Sequence, residues 1–209
     1  MTYFHEEDCC CGGLQVGQEV PEFEMETYDP ARGDFGKISL SEQKKQGKWT
    51  ILVFYPADFT FVCSTELADL ADEYENLKAA GAEVVTVSTD TVFTHLAWKR
   101  EEKFLENAKY PMAADRTGQV SRIFGVYNEE TGLDLRGTFI IDPNGVLVAS
   151  EVNFYNVGRN AKELLRKLQA CVHVANNPDE ACPARWEKGD KTLNPGPQLV
   201  GKVYDALND

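Results

Sequence analysis

The sequence predicts an α/β fold in which a mixed β-sheet lies between two layers of helices. In the first half of the chain, short runs rich in β-branched residues alternate with segments whose apolar residues recur at helical spacing. In the second half, the strong turn sequence Asp142-Pro143-Asn144-Gly145 separates two strand-like runs, and a long amphipathic segment follows them. Strand–helix alternation followed by a hairpin and a helix is typical of a three-layer sandwich.

The first part of the chain is predicted to contain a hairpin and then a strand followed by a helix. The hairpin pairs Phe23–Tyr28 with Phe35–Leu40 across a turn that contains proline and glycine. The strand Trp49–Tyr55 leads through a short loop to a helix that begins at about Cys63 and ends near Gly81. Five residues recur at helical spacing in this helix: Leu67, Leu70, Ala71, Tyr74 and Leu77.

The middle of the chain is predicted to hold a second strand–helix unit and two short elements. The strand Glu83–Ser88 is rich in β-branched residues, and a helix follows from about Val92 to Asn107. A short strand near Met112 and a short helix near Val120–Phe124 come next.

A second hairpin and a long helix complete the predicted domain. Gly137–Ile141 pairs with Val146–Val152 across the Asp-Pro-Asn-Gly turn. The helix spans roughly Ala161–Asn176, and four apolar residues lie on one of its faces: Leu164, Leu165, Leu168 and Val172.

We expect one domain with an extension at each end, which suits a chain of 209 residues. Residues 1–13 are predicted to be a flexible polar tail that contains Cys9-Cys10-Cys11, and residues 14–176 form the domain. Residues 177–209 are predicted to be an extended C-terminal arm. Its four prolines are Pro178, Pro183, Pro195 and Pro197.

Composition excludes several classes of partner. The formal net charge of −13 repels phosphate backbones, so we expect no nucleic-acid partner. No apolar run approaches the roughly 20 residues that cross a bilayer, so we expect no membrane span. The start of the chain, MTYFHEEDCCCGG, lacks the apolar stretch of a signal peptide, so we expect a cytoplasmic protein. Six cysteines in such a chain indicate redox or metal chemistry rather than a disulfide framework.

The most informative segment is FYPADFTFVCSTE at residues 54–66. A strand stops at Pro56, a short loop follows, and a helix begins at about Cys63, so the thiol lies in a first helical turn. Unpaired backbone N–H groups and the helix dipole there favour a thiolate over a thiol. Thr60 offers a hydroxyl, and Pro56 stiffens the loop. The pattern indicates an activated sulfur nucleophile, with a buried structural cysteine as the alternative.

Five segments, in this order, resemble the typical 2-Cys peroxiredoxins, and among them the C subunits of bacterial alkyl hydroperoxide reductases. The segments are FYPADFTFVCSTE, VSTDTVFTHLAW (87–98), RGTFIIDPNGVL (136–147), VGRNAKELLRKLQA (157–170) and CPARWEKGD (182–190). The resemblance covers about residues 15–205. It implies a thioredoxin-like fold with the peroxiredoxin insertions, and a thiol peroxidase that reduces hydrogen peroxide and organic hydroperoxides.

The resemblance assigns roles to residues of the first segment. In peroxide reduction a thiolate attacks one oxygen, and the other oxygen leaves as hydroxide or alkoxide. The site must hold the O–O axis in line and stabilise charge on the leaving oxygen. Cys63 is expected to be the nucleophile that becomes a sulfenic acid. The Thr60 hydroxyl and the Cys63 backbone N–H are expected to hydrogen-bond the peroxide, with Pro56 fixing the loop.

A cation near the sulfur would stabilise both the thiolate and the transition state. The resemblance implies that Arg136 is this cation, because the family's active-site arginine has the same RG-x-F context. Without the resemblance, Arg136 would be interpreted as a surface arginine at a strand edge. Arg159 matches a second family arginine and is expected to support the site. Glu66 is expected to bridge the arginines, although by sequence alone it is a first-turn carboxylate that favours the helix dipole.

Cys182, in ACPARW, matches the resolving cysteine of the family. The resemblance implies a disulfide between Cys63 of one subunit and Cys182 of its neighbour, hence a homodimer, and family behaviour favours a decamer. The alternative for Cys182 is an incidental exposed thiol.

The resemblance also implies that a separate protein, a flavoprotein reductase or thioredoxin, reduces this disulfide. The chain has no G-x-G-x-x-G motif, and we expect no bound cofactor or metal.

Two features of the sequence bear on the expected cycle of peroxide reduction and disulfide formation. The family commonly has Cys-Pro-Thr-Glu where this chain has Cys63-Ser64-Thr65-Glu66, and serine restores an N–H and adds a hydroxyl. We expect activity to survive but the unwinding of this turn to change. Relatives sensitive to overoxidation carry a Gly-Gly-Leu-Gly insert and a terminal Tyr-Phe pair. This chain has no glycine in Arg100–Pro111 and ends VYDALND, so we expect resistance to sulfinic-acid formation.

Several residues fall outside the assigned chemistry. The Cys9-Cys10-Cys11 triplet is interpreted as accessory thiols on a disordered tail, with glutathionylation or a soft-metal site that uses residues 5–7 left open. Cys171 is expected to pack in or near the core. His95, on the same predicted helix as Trp98, is expected to shape a subunit contact rather than to act as a general base.

Two other functions stay open alongside the peroxidase. One is a redox-regulated chaperone or peroxide sensor of the same fold, and fast peroxide consumption that needs Cys63 would separate an enzyme from it. The other is a metal-binding protein that works through residues 5–11. Deletion of the tail without effect on peroxide turnover would confine that role to an accessory one.

Overall fold

A computed structural model describes residues 13–208 of the chain. Apart from Gly13, the predicted tail and its three cysteines lie outside the described residues. Within these residues nine strands are formed: β1 (Glu24–Asp29), β2 (Asp34–Ser39), β3 (Trp49–Phe54), β4 (Ala82–Ser88), β5 (Met112–Ala114), β6 (Tyr127–Asn128), β7 (Leu133–Asp134), β8 (Arg136–Ile141) and β9 (Leu147–Asn153). The α-helices are α1 (Leu40–Lys45), α2 (Phe61–Ala79), α3 (Val92–Glu101), α4 (Gln119–Ile123), α5 (Ala161–Asn176) and α6 (Val203–Asn208).

Seven strands form one mixed sheet in the order β2-β1-β5-β4-β3-β8-β9. The pairs β3–β4 and β4–β5 are parallel, whereas the other neighbours are antiparallel. The remaining two strands, β6 and β7, pair with each other. The predicted fold class, a mixed sheet between helices, is therefore confirmed.

Helices cover both faces of the sheet, and β3 supplies core residues to each side. All six residues of β3 are buried. Ile51 and Val53 pack into a cluster that includes residues of α2, α3 and α5, whereas Leu52 and Phe54 pack into a second cluster with Leu40 of α1 and residues near α4. This alternation follows from the two-residue period of a strand. Because β3 lies inside the sheet and in the core, the loop at its end is held by rigid structure.

The pairing of β3 with β8 places two distant segments side by side. The strands are antiparallel, with Val53 opposite Thr138. The carboxyl end of β3, which leads into the cysteine loop, therefore lies beside the amino end of β8, where Arg136 begins the strand.

Several predicted boundaries need correction. The helix predicted from about Cys63 begins two residues earlier, at Phe61. The helix predicted to reach Asn107 ends at Glu101, because Glu102 has an extended backbone and its side chain accepts a hydrogen bond from Phe104 N to cap a separate 3₁₀ turn. A local capping arrangement thus replaces the last turns of the predicted helix.

The C-terminal arm is less extended than predicted. Ala181 and Leu193 form a bridge, Pro197–Leu199 is a 3₁₀ turn, and the last described segment is α6. Among the described residues, no helix combines the length and apolar character that a membrane crossing requires.

Candidate active site

The cysteine loop delivers Cys63 to the first turn of α2. Thr60 is the N-cap residue, with an extended backbone, and Cys63 is the third residue of the helix. Phe59, just before the cap, has a φ of 56°, a left-handed conformation that is uncommon for an aromatic residue. Such strain is often found at functional loops. The Cys63 side chain is fully buried at 0% exposure, so the thiol lies beneath the surface in this state.

The Arg136 guanidinium lies directly against the Cys63 thiol. Its Nη1 is 3.3 Å from Cys63 Sγ, and its Nε donates to the carbonyl of Tyr155 at 2.7 Å. Arg136 is only 3% exposed, which excludes the alternative of a surface arginine. The guanidinium is therefore placed to pair with negative charge that develops at the sulfur, and solvent screens this interaction little.

Glu66, one turn after Cys63, connects two arginines. Its Oε2 accepts from Arg136 Nη1 at 2.5 Å, and its Oε1 accepts from Arg159 Nε at 2.8 Å. Arg159 also donates to the carbonyl of Gly137 at 2.8 Å. The side chains of Glu66, Arg136 and Arg159 are each less than a tenth exposed. The carboxylate thus fixes Arg136 in place beside the sulfur.

The ionisation of Glu66 follows from its two arginine partners. Burial by itself would raise the pKa of this carboxyl. Hydrogen bonds from Arg159, together with the charges of Arg159 and Arg136, outweigh burial and lower the pKa below its usual value. At neutral pH the cluster therefore holds one carboxylate and two guanidinium groups, and it carries a net positive charge next to Cys63.

The loop residues are held by the backbone around the cysteine. The Thr60 hydroxyl donates a hydrogen bond to the carbonyl of Ala57 at 2.7 Å. The lone pairs of the Thr60 oxygen therefore remain able to accept a hydrogen bond from a ligand. Pro56 is buried in the same loop. The Ser64 hydroxyl donates to the Thr60 carbonyl at 2.8 Å and lies 3.5 Å from Glu102 Oε2. Serine therefore adds a side-chain bond to the first turn of α2.

Cys182 does not join this cluster. Its Sγ lies 4.0 Å from the carbonyl oxygen of Ala170 on α5, and both Cys182 and Cys63 are free thiols. The structure thus brings together Cys63, Arg136, Glu66 and Arg159, with Thr60 and Pro56 in the adjoining loop. Cys182 of the same chain contacts a different helix.

A buried polar network below the loop was missed by the sequence analysis. The Asp58 carboxylate accepts from the Tyr55 hydroxyl at 2.6 Å and lies 2.8 Å from His95 Nδ1, while His95 Nε2 lies 3.1 Å from the Ala113 carbonyl. Burial raises the pKa of the Asp58 carboxyl. His95 is 0% exposed within its own chain, so its predicted role in a subunit contact is wrong.

The signal for this network was present but ambiguous in the sequence. Asp58 lies inside the cysteine loop, and a polar residue between a buried strand and a helix start needs a partner if it is buried. The partner, His95, is 37 residues away and meets Asp58 only through the tertiary fold. Cys171, by contrast, packs partly buried against the larger core cluster, close to the expectation.

A mixed sheet with a buried cysteine in a first helical turn, held against an arginine, defines a thiol-based redox protein. Comparison with known proteins narrows this class. The profile described as AhpC/TSA family matches residues 16–150. The Staphylococcus aureus protein named alkyl hydroperoxide reductase C is 45% identical over 188 residues, which cover 90% of this chain and 98% of that protein.

Solved structures agree with this assignment. Enterococcus faecalis AhpC aligns with a TM-score of 0.76 at 42% identity, covering 80% of this chain and 98% of that one. Reduced Plasmodium vivax 2-Cys peroxiredoxin aligns with a TM-score of 0.82 at 31% identity, covering 89% of this chain and 98% of that one. The chain belongs to the AhpC/TSA family, and the predicted resemblance to peroxiredoxins is confirmed.

Proposed function

We propose that this protein is a thiol-dependent peroxidase that reduces hydrogen peroxide and organic hydroperoxides through Cys63. The observation that carries the proposal is the contact between Arg136 Nη1 and Cys63 Sγ at 3.3 Å, in the first turn of α2. Membership of the AhpC/TSA family, with relatives named alkyl hydroperoxide reductase C and 2-Cys peroxiredoxin, supports the same chemistry. Defence against peroxides is the corresponding cellular role.

In the first step, the Cys63 thiolate attacks one peroxide oxygen and the O–O bond breaks. The sulfur becomes a sulfenic acid, and the second oxygen leaves as water or an alcohol once it takes up a proton. Arg136 stabilises the thiolate and the charge that develops on the oxygens. Thr60, whose hydroxyl donates a hydrogen bond to the Ala57 carbonyl, accepts a hydrogen bond from the peroxide O–H and orients it. Glu66 and Arg159 position Arg136.

In the second step, the Cys182 thiol of a partner subunit attacks the sulfenic sulfur of Cys63. A disulfide forms and water leaves. Two observations support an intersubunit bond. Cys182 of the same chain is held against α5 rather than in the cysteine loop. The edge strand β9 and the segment after it also expose Val152, Phe154 and Val157 at 48%, 65% and 57%, a surface suited to a second copy.

The cycle closes when a separate disulfide reductase, a flavoprotein or thioredoxin, returns both cysteines to thiols. A homodimer is the catalytic unit in this scheme, and assembly of dimers to a decamer is its extension. We also propose a cytoplasmic location, a reducing compartment in which the cysteines would be available as thiols. Among residues 13–208, no group of three or more histidine, cysteine or acidic side chains is arranged to hold a metal.

A rapid-quench experiment tests the proposal. Reduced protein with Cys9, Cys10 and Cys11 replaced by serine is mixed with one equivalent of peroxide, quenched in acid within seconds and resolved without reductant. We expect an early disulfide-linked dimer, which Cys63→Ser and Cys182→Ser each abolish. Unchanged peroxide consumption in Cys63→Ser would refute the peroxidase, and an early dimer that persists in Cys182→Ser would place the resolving thiol elsewhere.

A further inference from the structure

The C-terminal arm is fastened to α5 around Cys182. Arg166 Nη1 donates to the carbonyl of Trp186 at 3.1 Å, and His173 Nε2 lies 2.8 Å from Glu180 Oε2. The rings of His173 and Trp186 are 5.0 Å apart, and Trp186 is 2% exposed. Contacts on both sides of Cys182 therefore fix this part of the arm on the helix.

This attachment places Cys182 next to a second thiol, Cys171. Cys182 Sγ is 4.0 Å from the carbonyl oxygen of Ala170, which belongs to the peptide that enters Cys171. Standard peptide geometry then puts Cys182 Sγ within about 7 Å of the Cys171 Cα. A disulfide between Cys171 and Cys182 requires Cα atoms about 4.4 to 6.8 Å apart, so the arm must adjust locally for the two sulfurs to bond.

The local chemistry fits a pair of interacting thiols. Both cysteines are free and partly exposed. Burial, and then the neighbouring Cys182, raise the pKa of Cys171. Cys171 belongs to no contact of the Cys63 site, and the peroxidase scheme leaves it without a role.

We propose that Cys171 is a third redox-active residue. It forms a disulfide with Cys182 and thereby displaces Cys63 from the intersubunit disulfide. This inference rests on the proposed peroxidase cycle. The Cys171 sulfur, as thiolate, attacks the Cys182 sulfur of its own chain while that sulfur is bonded to Cys63 of the partner. The Cys171–Cys182 bond forms, the Cys182–Cys63 bond breaks, and Cys63 leaves as a thiolate that can take up the proton lost by Cys171. No external oxidant is needed.

Two physical features favour this exchange. Cys171 and Cys182 belong to the same chain, so the attack is intramolecular and has a high effective concentration. The new disulfide also keeps the arm in the place where Arg166 and His173 already bind it. The released Cys63 can then contact Arg136 again and react with another peroxide. The Cys171–Cys182 disulfide remains on α5 until the reductase reduces it. Burial raises the pKa of Cys171 and so lowers the fraction of this thiol that is present as thiolate.

A time course after one equivalent of peroxide tests the inference. The background again carries serine in place of Cys9, Cys10 and Cys11, and samples are acid-quenched from seconds to an hour. We expect the disulfide-linked dimer to form first and then convert to a monomer that lacks two hydrogens. Peptide mapping should join Cys171 to Cys182. In Cys171→Ser, the dimer should form equally fast and then persist.

Val172→Ala is the matched control, because Val172 neighbours Cys171 on α5 and packs against the same core cluster. It should convert from dimer to monomer as the parent does. A parent dimer that persists for an hour, with Cys171 still open to alkylation, would overturn the inference while leaving the peroxidase intact. Absence of any early dimer would instead count against the proposed function.

Discussion

At the scale of single residues, the site depends on one buried carboxylate that serves two arginines. Glu66 accepts hydrogen bonds from Arg136 and Arg159, and Arg136 in turn contacts Cys63. Removal of the positive charge and removal of the negative charge should have different consequences. Loss of the arginine beside the sulfur should affect chemistry, whereas loss of the carboxylate should leave two buried cations and affect stability.

Arg136→Ala should lower the second-order rate constant for peroxide reduction about 100-fold, since a charged donor at the reacting atoms is lost. Arg136→Lys should recover part of this rate, because it keeps the charge but not the fork of donors. The rate is measured by stopped-flow competition for peroxide. The control, Arg122→Ala, removes an exposed arginine that pairs with Glu129. A normal rate in Arg136→Ala, in a protein with an unchanged melting temperature, would exclude the assigned role.

Glu66→Gln should lower the free energy of unfolding at pH 7 by about 3 to 5 kcal/mol, the cost of breaking a buried ion pair. The pKa of Glu66 is lowered in the folded state, so its stabilising effect is complete above the unfolded value near 4.5 and is lost as pH falls through the lower folded value. The difference in free energy of unfolding between Glu66→Gln and the parent should therefore disappear in acid.

Urea denaturation at a series of pH values between neutral and strongly acidic measures this gap. The control is Glu163→Gln, which removes a more exposed carboxylate paired with Arg166 and should cost less than about 1 kcal/mol. A gap between Glu66→Gln and the parent that stays the same at all pH values would show that charge is not its source.

At the scale of elements, the first turn of α2 must hold Cys63 for attack and release it for disulfide formation. Ser64 adds a hydroxyl bond to the Thr60 carbonyl at 2.8 Å, and its backbone N–H reaches the same oxygen at 3.4 Å. Unwinding of the turn separates Ser64 from Thr60. The serine is therefore expected to slow release of the cysteine rather than its reaction with peroxide.

Ser64→Ala should speed disulfide formation about fivefold, because one hydrogen bond of about 1 kcal/mol no longer opposes unwinding. The rate of the first reaction with peroxide should stay the same. Both phases can be followed by rapid-quench mass spectrometry. Ser39→Ala is the control, because it removes a hydroxyl that accepts from Glu42 N at the start of α1, away from this turn, and it should leave both phases unchanged. A slower second phase in Ser64→Ala would contradict this account.

The same turn shows how far sequence could predict the structure. The apolar run of β3, the stop at Pro56 and the helical spacing after Cys63 are local signals, and they predicted the strand, the loop and the helix to within two residues. The end of α3 was misplaced because a single extended residue, Glu102, interrupts a segment whose composition suits a helix.

Contacts between distant segments could not be derived from local pattern. Arg136 and Cys63 are 73 residues apart, and they meet because β8 pairs antiparallel with β3. Without the family resemblance, Arg136 would have been assigned to the surface. His95 was misassigned because a histidine on a helix gives no local sign of the buried Asp58 that partners it. The neighbourhood of Cys171 and Cys182 likewise depends on how the arm folds back.

At the scale of the whole molecule, the proposed disulfide between Cys63 and Cys182 requires a second copy of the chain. The edge strands of the sheet are β2 and β9. One exposed aromatic residue lies in β2, and another directly follows β9. Phe154 follows β9 and is 65% exposed, whereas Phe35 on β2 is 43% exposed. We assign the dimer contact to the β9 edge, because Val152 and Val157 extend the same apolar surface.

Phe154→Glu should weaken the dimer, because it places a charge in an apolar contact. Sedimentation velocity should show a shift toward monomer, and peroxide should leave Cys63 as sulfenic or sulfinic acid instead of in a disulfide. Phe35→Glu, on the opposite edge, is the control and should leave the disulfide-linked dimer intact. If Phe154→Glu still forms that dimer at the parental rate, the contact lies elsewhere.

The proposed cycle requires Cys63 to be the thiol that peroxide oxidises first. The most direct test uses Cys182→Ser, in which the sulfenic acid has lost its resolving partner. The protein is treated with one equivalent of peroxide in the presence of dimedone and mapped by mass spectrometry. We expect a dimedone adduct on Cys63, formed as fast as peroxide is consumed. An adduct on Cys171 or on the N-terminal cysteines, with Cys63 unmodified, would contradict it.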